Sequence, residues 1–570
     1  MRTTHALTYA CTLISVVSYA SAQSLTDISA TVGIDNWQNN ADVYPLDWNQ
    51  DGCVDFLAHT SVFTNVELFI NNCNGTFSRQ NGFLNDFSGM VESICAGDVN
   101  NDGNIDLVVA NDGVLTIYSI ESMQCVGKTS LNDKYYGNIR LLDSDANGDL
   151  EIVVNSSGNG DETSILDCSV DFVLTSQVIY NSFSAELGVA DVNNDGYSDI
   201  FVTRNDHSGP YGGYNIEYPV ILVNNDGAFS VDSNPLPMVP HYPVTFFDYD
   251  NNMLFDAHIG SDDWIYNGPE KVWMLRNNGN FSFSDASQPG MYFGWNYYGH
   301  IEVVDIENDG DYDYFQQMGA WQGSRLIVND GGSLGVFADF EFPGGDSGKG
   351  CGLMDYDADG DLDVLFSEHY WFHPLSHFAF YRNNSQGNYL TVTPVSSVSA
   401  LNTYGIRIVA YVNGATIMPQ MQESVYGFTR QFNIGLGSAA EVDSLVVSWP
   451  GGAKTSTGPV AANQFITVYQ GDGQGTVGAD DGPVAFALEE AKPNPFNPST
   501  TISYSLAQTG PATLTVHNMA GQLVATLVDG LQERGAHEVS FDGSQLPSGL
   551  YVARLKTENG EVAQKLLLTK

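Results

Sequence analysis

The sequence predicts an all-β protein: a seven-bladed β-propeller, then a β-rich module and a C-terminal Ig-like β-sandwich. The main observation is an acidic nine-residue segment of pattern D-x-D-x-D-G-x-x-D. It recurs seven times, with starts 51, 45, 48, 57, 57 and 50 residues apart. A short apolar run typical of a strand follows most copies. A unit of about four strands per ~50 residues has the size of one propeller blade.

We call these segments loops 1 to 7, and positions 1, 3, 5 and 9 of each hold the candidate metal ligands. The candidates are Asp47, Asn49, Asp51 and Asp55; Asp98, Asn100, Asp102 and Asp106; Asp143, Asp145, Asn147 and Glu151; Asp191, Asn193, Asp195 and Asp199; Asp248, Asp250, Asn252 and Asp256; Asp305, Glu307, Asp309 and Asp313; and Asp355, Asp357, Asp359 and Asp363. Ca²⁺ prefers six to eight oxygen ligands, which alternate positions of a tight loop can supply. Glycine at position 6 permits the positive φ that wraps the chain around an ion.

Loops of this composition could also be EF-hands or plain turns. An EF-hand would lie between helices and place a glutamate at position 12, whereas these loops join strands and position 12 is, for example, Val109 or Phe366. Asp and Asn also favour plain turns, but several carboxylates within nine residues repel one another without a cation. We therefore expect up to seven Ca²⁺, with the weakest site in blade five, where Met253 replaces the glycine.

Composition excludes several classes of function. The chain has 68 acidic residues against 20 Lys and Arg, a net charge of −48. Such a field repels nucleic acid and anionic lipid, so we expect no nucleic-acid partner. Residues 1–22 resemble a secretory signal peptide, with Arg2, an apolar stretch and an A-x-A site at 20–22. No other segment is long and apolar enough to span a membrane, so the mature chain should have no transmembrane span.

The sequence also indicates how the propeller ring closes. Leu25–Ser29 resembles Phe283–Ser287, which precedes the first strand of blade six, so the N-terminus should supply the outer strand of blade seven.

Six cysteines follow the signal segment, and an even number in an exported chain indicates disulfides. We expect a Cys53–Cys73 bond between neighbouring strands of one blade and leave the other pairings open.

With these loops and strands, the propeller region (residues 23–385) resembles the FG-GAP/VCBS repeats of integrin-α-type propellers. In that family the matching Asp, Asn and Glu positions bind Ca²⁺. Residues 386–470 are β-rich without acidic loops and resemble an ASPIC/UnbV module, through stretches such as Gly405–Val409 and Val446–Gly451. This combination resembles cartilage-acidic-protein-like proteins. A plain packing role for the module is the simplest interpretation.

The C-terminal part begins with a Gly/Asp-rich segment, residues 471–484, interpreted as a flexible linker. Residues 485–570 resemble the sorting domain of the type IX secretion system of Gram-negative bacteria. The resemblance rests on Pro493–Thr500, Leu546–Tyr551 and the terminal lysine. It implies export by the type IX secretion machinery and a secreted or outer-surface location.

The face opposite the acidic loops is the candidate ligand surface. The longer loops between second and third strands in blades four to seven carry aromatic residues, namely Tyr211, Trp264, Trp321, His369 and Trp371. Exposed aromatics beside acids suit sugar rings and other partners, so an extracellular glycan or protein is the expected ligand. These residues could instead cap the core or contact the ASPIC/UnbV module.

Catalysis was the alternative hypothesis: a calcium-stabilised polysaccharide lyase or hydrolase on the same face. It would need paired acids at a defined separation, for which Asp262, Asp263 and Glu368 are candidates. The Gly345–Gly348 segment only superficially resembles a serine-protease motif, because a matching His and Asp context is missing. His369, His373 and His377 are more typical of loop histidines than of zinc ligands. We therefore favour a non-enzymatic binder.

Overall fold

In this computed structural model, strands and acidic loops are described from residue 25 onward. The described ranges are 25–34, 42–59, 66–84, 91–111, 113–119, 124–130, 135–157, 162–169, 172–181, 186–203, 205–206, 215–216, 218–232, 234, 236–237, 244–260, 273–287, 301–317, 324–340, 348–368, 378–399, 402–417, 430–471, 477–480, 487–488, 491–506, 510–532, 535–557 and 561–570. The predicted signal peptide, residues 1–22, lies outside them.

The described residues of the propeller region form seven four-stranded antiparallel sheets, numbered here in chain order. Sheet 1 contains Asp42–Leu46, Asp55–His59, Val66–Asn71 and Phe77–Leu84; sheet 2, Val91–Gly97, Asp106–Asn111, Val114–Ser119 and Gln124–Ser130; sheet 3, Tyr135–Leu142, Glu151–Ser157, Glu162–Cys168 and Leu174–Tyr180; sheet 4, Leu187–Ala190, Asp199–Val202, Val220–Asn225 and Ala228–Val231. Sheet 5 contains Val244–Phe247, Asp256–Ile259, Trp273–Asn277 and Phe283–Asp285; sheet 6, Ile301–Val304, Asp313–Gln317, Ser324–Asp330 and Ser333–Phe340; sheet 7, Gly348–Met354, Asp363–Glu368, Phe378–Arg382 and Thr26–Asp27. A small ribbon, Asn205–Asp206 with Asn215–Ile216, follows the second strand of sheet 4.

Neighbouring sheets pack face to face through apolar side chains. The second strands are buried on both faces, as in Phe56-Leu57-Ala58, because each strand has a sheet on either side. One apolar cluster joins each sheet to the next, and a further cluster with Phe56 and Phe380 joins sheet 7 to sheet 1. The described sheets therefore form a closed ring, and the predicted all-β fold is confirmed.

Ring closure at the N-terminus follows the sequence expectation. Thr26–Asp27 pairs antiparallel with Phe378–Arg382 as the outer strand of sheet 7. A short helix, Ser29–Val32, follows, and the Ser29 hydroxyl accepts a hydrogen bond from the Phe380 amide (2.9 Å). Cys53 and Cys73 form a disulfide, with Cα atoms 5.7 Å apart, so that prediction is also confirmed.

The ASPIC/UnbV-like region is a sandwich of two four-stranded sheets around a core that includes the buried Trp449. One sheet contains Phe432–Gly437, Asn388–Val395, Gln464–Tyr469 and Val477–Asp480; the other, Ala415–Ile417, Arg407–Val412, Ser444–Ser448 and Lys454–Thr457. Glu441–Val442 pairs with Val460–Ala461, and Pro450–Gly452 is a 3-10 turn. Val477–Asp480 lies within the segment interpreted as a linker, yet it pairs with Gln464–Tyr469 because that strand offers a free edge.

The C-terminal region is a second sandwich with its own core around Phe496, Leu514 and Leu566. Its sheets contain Ala487–Leu488, Ser499–Leu506 and Gly535–Asp542 on one side, and Leu523–Gln532, Gly510–Asn518, Gly549–Lys556 and Glu561–Leu568 on the other. In the part of the chain that the structure describes, no helix has the length and apolar character needed to cross a membrane.

Candidate metal loops and the surface they build

All seven acidic loops share one backbone conformation. Position 4 has a positive φ between 53° and 61° in every loop, and position 6 has a positive φ between 66° and 97°. The side chain at position 1 fixes this turn, because its two carboxylate oxygens accept the amides of positions 5 and 6. In loop 1 the two distances are 2.9 and 3.0 Å, from Asp51 and Gly52 to Asp47. The same pair recurs in the other six loops.

Loop 5 keeps this geometry without the glycine. Met253 has a φ of 66°, and its amide still donates to Asp248 Oδ2 at 2.7 Å. A side chain in this left-handed region carries a conformational cost of ~1 kcal/mol or more. Methionine in place of glycine therefore adds backbone strain in loop 5 but does not change the path of the backbone. Whether loop 5 is the weakest calcium site stays a prediction.

The closing carboxylate at position 9 is buried in every loop. In loop 5 the Asp256 carboxylate accepts the amides of Tyr249 (3.2 Å) and Asn277 (2.6 Å). Five of the sheets have an asparagine at the end of the third strand that makes this second bond: Asn71, Asn224, Asn277, Asn329 and Asn383.

The side chains of the same five asparagines connect neighbouring sheets. Asn277 Nδ2 donates to the carbonyl of Val192 in loop 4 (2.8 Å), and the other four reach position 2 of the preceding loop at 2.8–3.0 Å. In the sequence these residues belong to Asn-Asn or Asn-Asp pairs at the end of a strand, a pattern that by itself indicates only a turn. These asparagines join five of the acidic loops, loops 1, 4, 5, 6 and 7, to the loop of the preceding sheet in the ring.

The loops concentrate negative charge in buried positions. Burial raises the pKa of Asp106, Asp199 and Asp256 to about 8, with neighbouring carboxylates adding to the effect. Burial also raises the pKa of Asp47 to about 7. A carboxylate in such a place is stabilised by a nearby cation, because the cation offsets both desolvation and repulsion.

Several ligand-position oxygens are buried without a hydrogen-bond partner, among them Asp199 Oδ2, Asp250 Oδ1 and Asp357 Oδ1. In loops 5 and 7, three aspartates at positions 1, 3 and 9 place carboxylate oxygens within 4.8 Å of one another. An all-oxygen donor set of this kind suits a hard divalent cation such as Ca²⁺ better than a soft metal. The residues present therefore fit the ion that the loop pattern predicts.

The ASPIC/UnbV-like sandwich contacts the same face of the ring. Asn402 Nδ2 donates to the carbonyls of Asp98 in loop 2 (3.0 Å) and Gly148 in loop 3 (2.8 Å), and Asn402 Oδ1 accepts the Asp98 amide (3.2 Å). Tyr404 adds a bond from its hydroxyl to the Ala96 carbonyl (3.0 Å). Sequence reasoning missed these residues, because no local pattern predicts contacts across 304 positions.

Loops 4 to 7 are contacted in the same way. In each of loops 4, 5 and 7, the backbone carbonyl at position 6 accepts a hydrogen bond from the sandwich. The Gly196 carbonyl accepts the Gly451 amide (3.0 Å), and the Met253 carbonyl accepts a bond from Arg407 Nη2 (2.7 Å). The Gly360 carbonyl accepts a bond from Asn433 Nδ2 (2.7 Å). In loop 6 the Asn308 carbonyl accepts the Gly437 amide at 2.6 Å. Through its described residues, the sandwich therefore forms hydrogen bonds with six of the seven loops. The aromatic candidates Tyr211, Trp264, Trp321, His369 and Trp371 lie outside the described residues.

Family models match three separate parts of the chain. Residues 47–109 match an FG-GAP-like repeat, residues 399–475 match ASPIC and UnbV, and residues 492–569 match a secretion system C-terminal sorting domain. These matches confirm the three resemblances drawn from the sequence. No curated protein matches the chain.

Solved structures resemble the chain only distantly. The extracellular domain of a putative hybrid two-component system from B. thetaiotaomicron is 10% identical, with a TM-score of 0.39, and the match covers 96% of this chain and 59% of that one. PorZ, a surface component of the type IX secretion system of Porphyromonas gingivalis, is 11% identical, with a TM-score of 0.20 and coverage of 94% and 82%. The Nup170 N-terminal domain in complex with Nup53 from Chaetomium thermophilum is 7% identical, with a TM-score of 0.33 and coverage of 61% and 59%.

The chain thus spans about three fifths of the length of the B. thetaiotaomicron domain. The assignment of its three regions rests on the family matches. The chain combines an FG-GAP-like repeat, an ASPIC/UnbV module and a type IX sorting domain, and is a secreted or outer-surface protein that uses the type IX secretion machinery.

Proposed function

We propose that this chain is a calcium-stabilised recognition protein, which binds an extracellular glycan or protein through the face opposite the acidic loops. The observation that carries the proposal is the position of the ASPIC/UnbV-like sandwich. It contacts loops 2 to 7 through Asn402, Arg407, Asn433 and neighbouring backbone groups. The acidic loops are therefore occupied by a structural contact, and the opposite face is left for a partner.

Calcium has a structural role in this proposal. It is supported by seven loops with one backbone conformation, buried closing carboxylates and the unpartnered Asp199 oxygen. An ion bound only by the folded protein adds stability that grows with its free concentration. We expect the melting midpoint to fall by many degrees when excess EDTA replaces excess CaCl₂. An identical midpoint in both buffers, with no calcium found by elemental analysis, would remove calcium from the proposal.

One matched pair of variants tests the ligand role of the closing carboxylate. Asp106→Asn changes a fully buried ligand position in loop 2, whereas Asp149→Asn changes position 7 of loop 3, whose side chain is not a candidate ligand. We expect the first variant to lose much of the midpoint rise that calcium produces, and the second to keep it. Equal responses of the two variants would contradict the assignment.

The recognition surface is tested separately with a panel of extracellular polysaccharides and glycoproteins. Both retention and newly formed reducing ends are measured, because cleavage would indicate an enzyme instead of a binder. We expect retention without cleavage, lost in Trp264→Ala and Trp371→Ala. Tyr469→Ala, an exposed aromatic of the sandwich, serves as the control and should bind normally. Cleavage, or equal binding by all three variants, would contradict the proposal.

A further inference from the structure

In two of the acidic loops, the carboxylate at position 3 forms an ion pair with an arginine on the third strand of the same sheet. In loop 5, Arg276 Nε lies 2.5 Å from Asp250 Oδ2. In loop 7, Arg382 Nη2 lies 2.8 Å from Asp357 Oδ2 and 2.8 Å from Asp359 Oδ2. In both cases the carboxylate at position 3 is held on one oxygen, while its other oxygen is buried and has no hydrogen-bond partner.

The two arginines occupy equivalent places in their sheets. Each lies on the third strand, one residue before the asparagine that joins neighbouring sheets. The strand register, continued by one residue, sets it opposite the closing aspartate of its own loop. The matching residues before Asn71, Asn224 and Asn329 are Ile70, Val223 and Val328. An arginine is therefore not needed to build the sheet at this position.

A strand arginine accompanies the acid at position 3 in loops 5 and 7, whereas loop 6 has Glu307 at position 3 and the aliphatic Val328 on the strand. Loops 1 and 4 have a neutral asparagine at position 3, and the strand residue is then aliphatic. Loops 5 and 7 have an aspartate at position 3, and the strand residue is then an arginine. The Asp250 and Asp357 side chains are only 16% and 18% exposed. In loop 3, by contrast, Asp145 at position 3 is exposed to solvent, and the matching strand residue is an acid, Asp167.

These are also the loops in which three carboxylates converge within 4.8 Å. Without an ion, such a group is destabilised by like-charge repulsion, and a contacting guanidinium offsets part of it. With a divalent cation in the loop, the same guanidinium faces a positive charge and stabilises the site less. An arginine in this place should therefore favour the ion-free loop over the loaded one.

We propose that Arg276 and Arg382 are built-in counterions that keep loops 5 and 7 assembled without calcium and lower the calcium affinity of these two loops. This inference rests on the proposed binding of calcium by the acidic loops. It divides the loops into two kinds, since the remaining loops have no strand arginine at this position. As calcium falls, loops 5 and 7 should release it first while their sheets remain folded.

The test compares Arg276→Met and Arg382→Met in the full chain with Arg79→Met. Arg79 pairs with Glu67 at 3.0 Å in sheet 1 and is 39% exposed, close to the 44% and 37% of the other two arginines, but its partner is not an acidic-loop residue. Melting midpoints are measured in excess EDTA and in excess CaCl₂. Calcium affinity is measured by titration calorimetry.

We expect Arg276→Met and Arg382→Met to lower the midpoint in EDTA by about 1–3 °C, and by clearly less in calcium. Each should also raise calcium affinity several-fold at one site. Arg79→Met should have the same small effect in both buffers. Arg276→Lys and Arg382→Lys, which keep the charge, are measured in case the methionine variants fold poorly, and should retain most of the wild-type stability in EDTA.

Equal losses of midpoint in the two buffers would overturn the proposal, because the arginines would then be ordinary ion pairs. A larger loss in calcium would also overturn it, because the arginines would then assemble the calcium site. A wild-type midpoint that does not respond to calcium contradicts the calcium proposal itself. That failure is distinguishable, since it appears in the wild type before any variant is compared.

Discussion

The asparagine bridges between sheets lead to a quantitative prediction for Asn277→Ala. The Asn277 side chain is fully buried and donates to the carbonyls of Val192 (2.8 Å) and Phe255 (3.1 Å). Its Oδ1 accepts the Gly279 amide at 2.9 Å. Alanine removes all three bonds and leaves two carbonyls and one amide without partners. The backbone bond from the residue 277 amide to Asp256 remains.

The magnitude follows from these three bonds. Each contributes about 0.5–1.5 kcal/mol net to folding, and buried groups left without partners are at the upper end of that range. The expected loss is therefore about 2–4 kcal/mol, which in a propeller of about 360 residues corresponds to about 3–5 °C in the melting midpoint. The loss should affect the contact between sheets 4 and 5, because Val192 belongs to the acidic loop of sheet 4.

Scanning calorimetry in excess CaCl₂ measures the effect, with Asn278→Ala as the matched control. Asn278 is the next residue, and its side chain makes only local hydrogen bonds at the exposed surface. Its removal should change the free energy of unfolding by no more than about 0.5 kcal/mol. The reasoning fails if the two variants melt within experimental error of each other.

Three further predictions concern strain, module contact and protonation. Met253→Gly removes the strain of a methionine with a left-handed backbone and should raise the melting midpoint by about 1–3 °C. Gly360→Ala should lower the midpoint, because an added Cβ would lie 2.2 Å from the Tyr389 ring. Calorimetry of both variants checks the direction of each shift. Asn402→Ala should expose the ASPIC/UnbV-like sandwich to limited proteolysis without unfolding the ring, and unchanged cleavage would contradict its anchoring role. Burial raises the pKa of Glu186 from the ordinary 4.5 to about 7, so the folded protein holds this proton more tightly than the unfolded chain. Stability from this group should therefore fall as pH rises from about 4.5 to 7, and Glu186→Gln should flatten that part of the pH profile; an unchanged slope would contradict the prediction.

Local patterns account for what could be predicted from the sequence. The acidic loops, the closing strand Thr26–Asp27 and the Cys53–Cys73 bond each depend on residues near one another in sequence or on a repeated register. A glycine or asparagine at a positive φ is also a local property, which is why the loops could be recognised one by one. These features could be read without knowing how the sheets meet.

The remaining features depend on contacts between distant parts of the chain. Asn277 reaches a carbonyl 85 positions away, and Asn402 reaches one 304 positions away, so their roles appear only when the sheets are assembled. The roles of Arg276 and Arg382 leave no sign in the sequence, because a strand arginine has no special spacing relative to an acidic loop. The segment 471–484 was interpreted as flexible from its glycines, whereas pairing with a free strand edge is a tertiary effect.

The module contact gives the acidic loops a second consequence for the proposed function. The position-6 carbonyls of Gly148, Gly196, Met253 and Gly360 accept hydrogen bonds from the ASPIC/UnbV-like sandwich, and the same residues shape the turn around the candidate ion. In the proposed calcium-bound state, any ion that favours this turn also favours the contact with the sandwich. Coupling between two binding events is reciprocal. The factor by which calcium strengthens the contact with the sandwich must therefore equal the factor by which that contact raises calcium affinity. In the proposed function, calcium and the module therefore act together on one face, and recognition is left to the other.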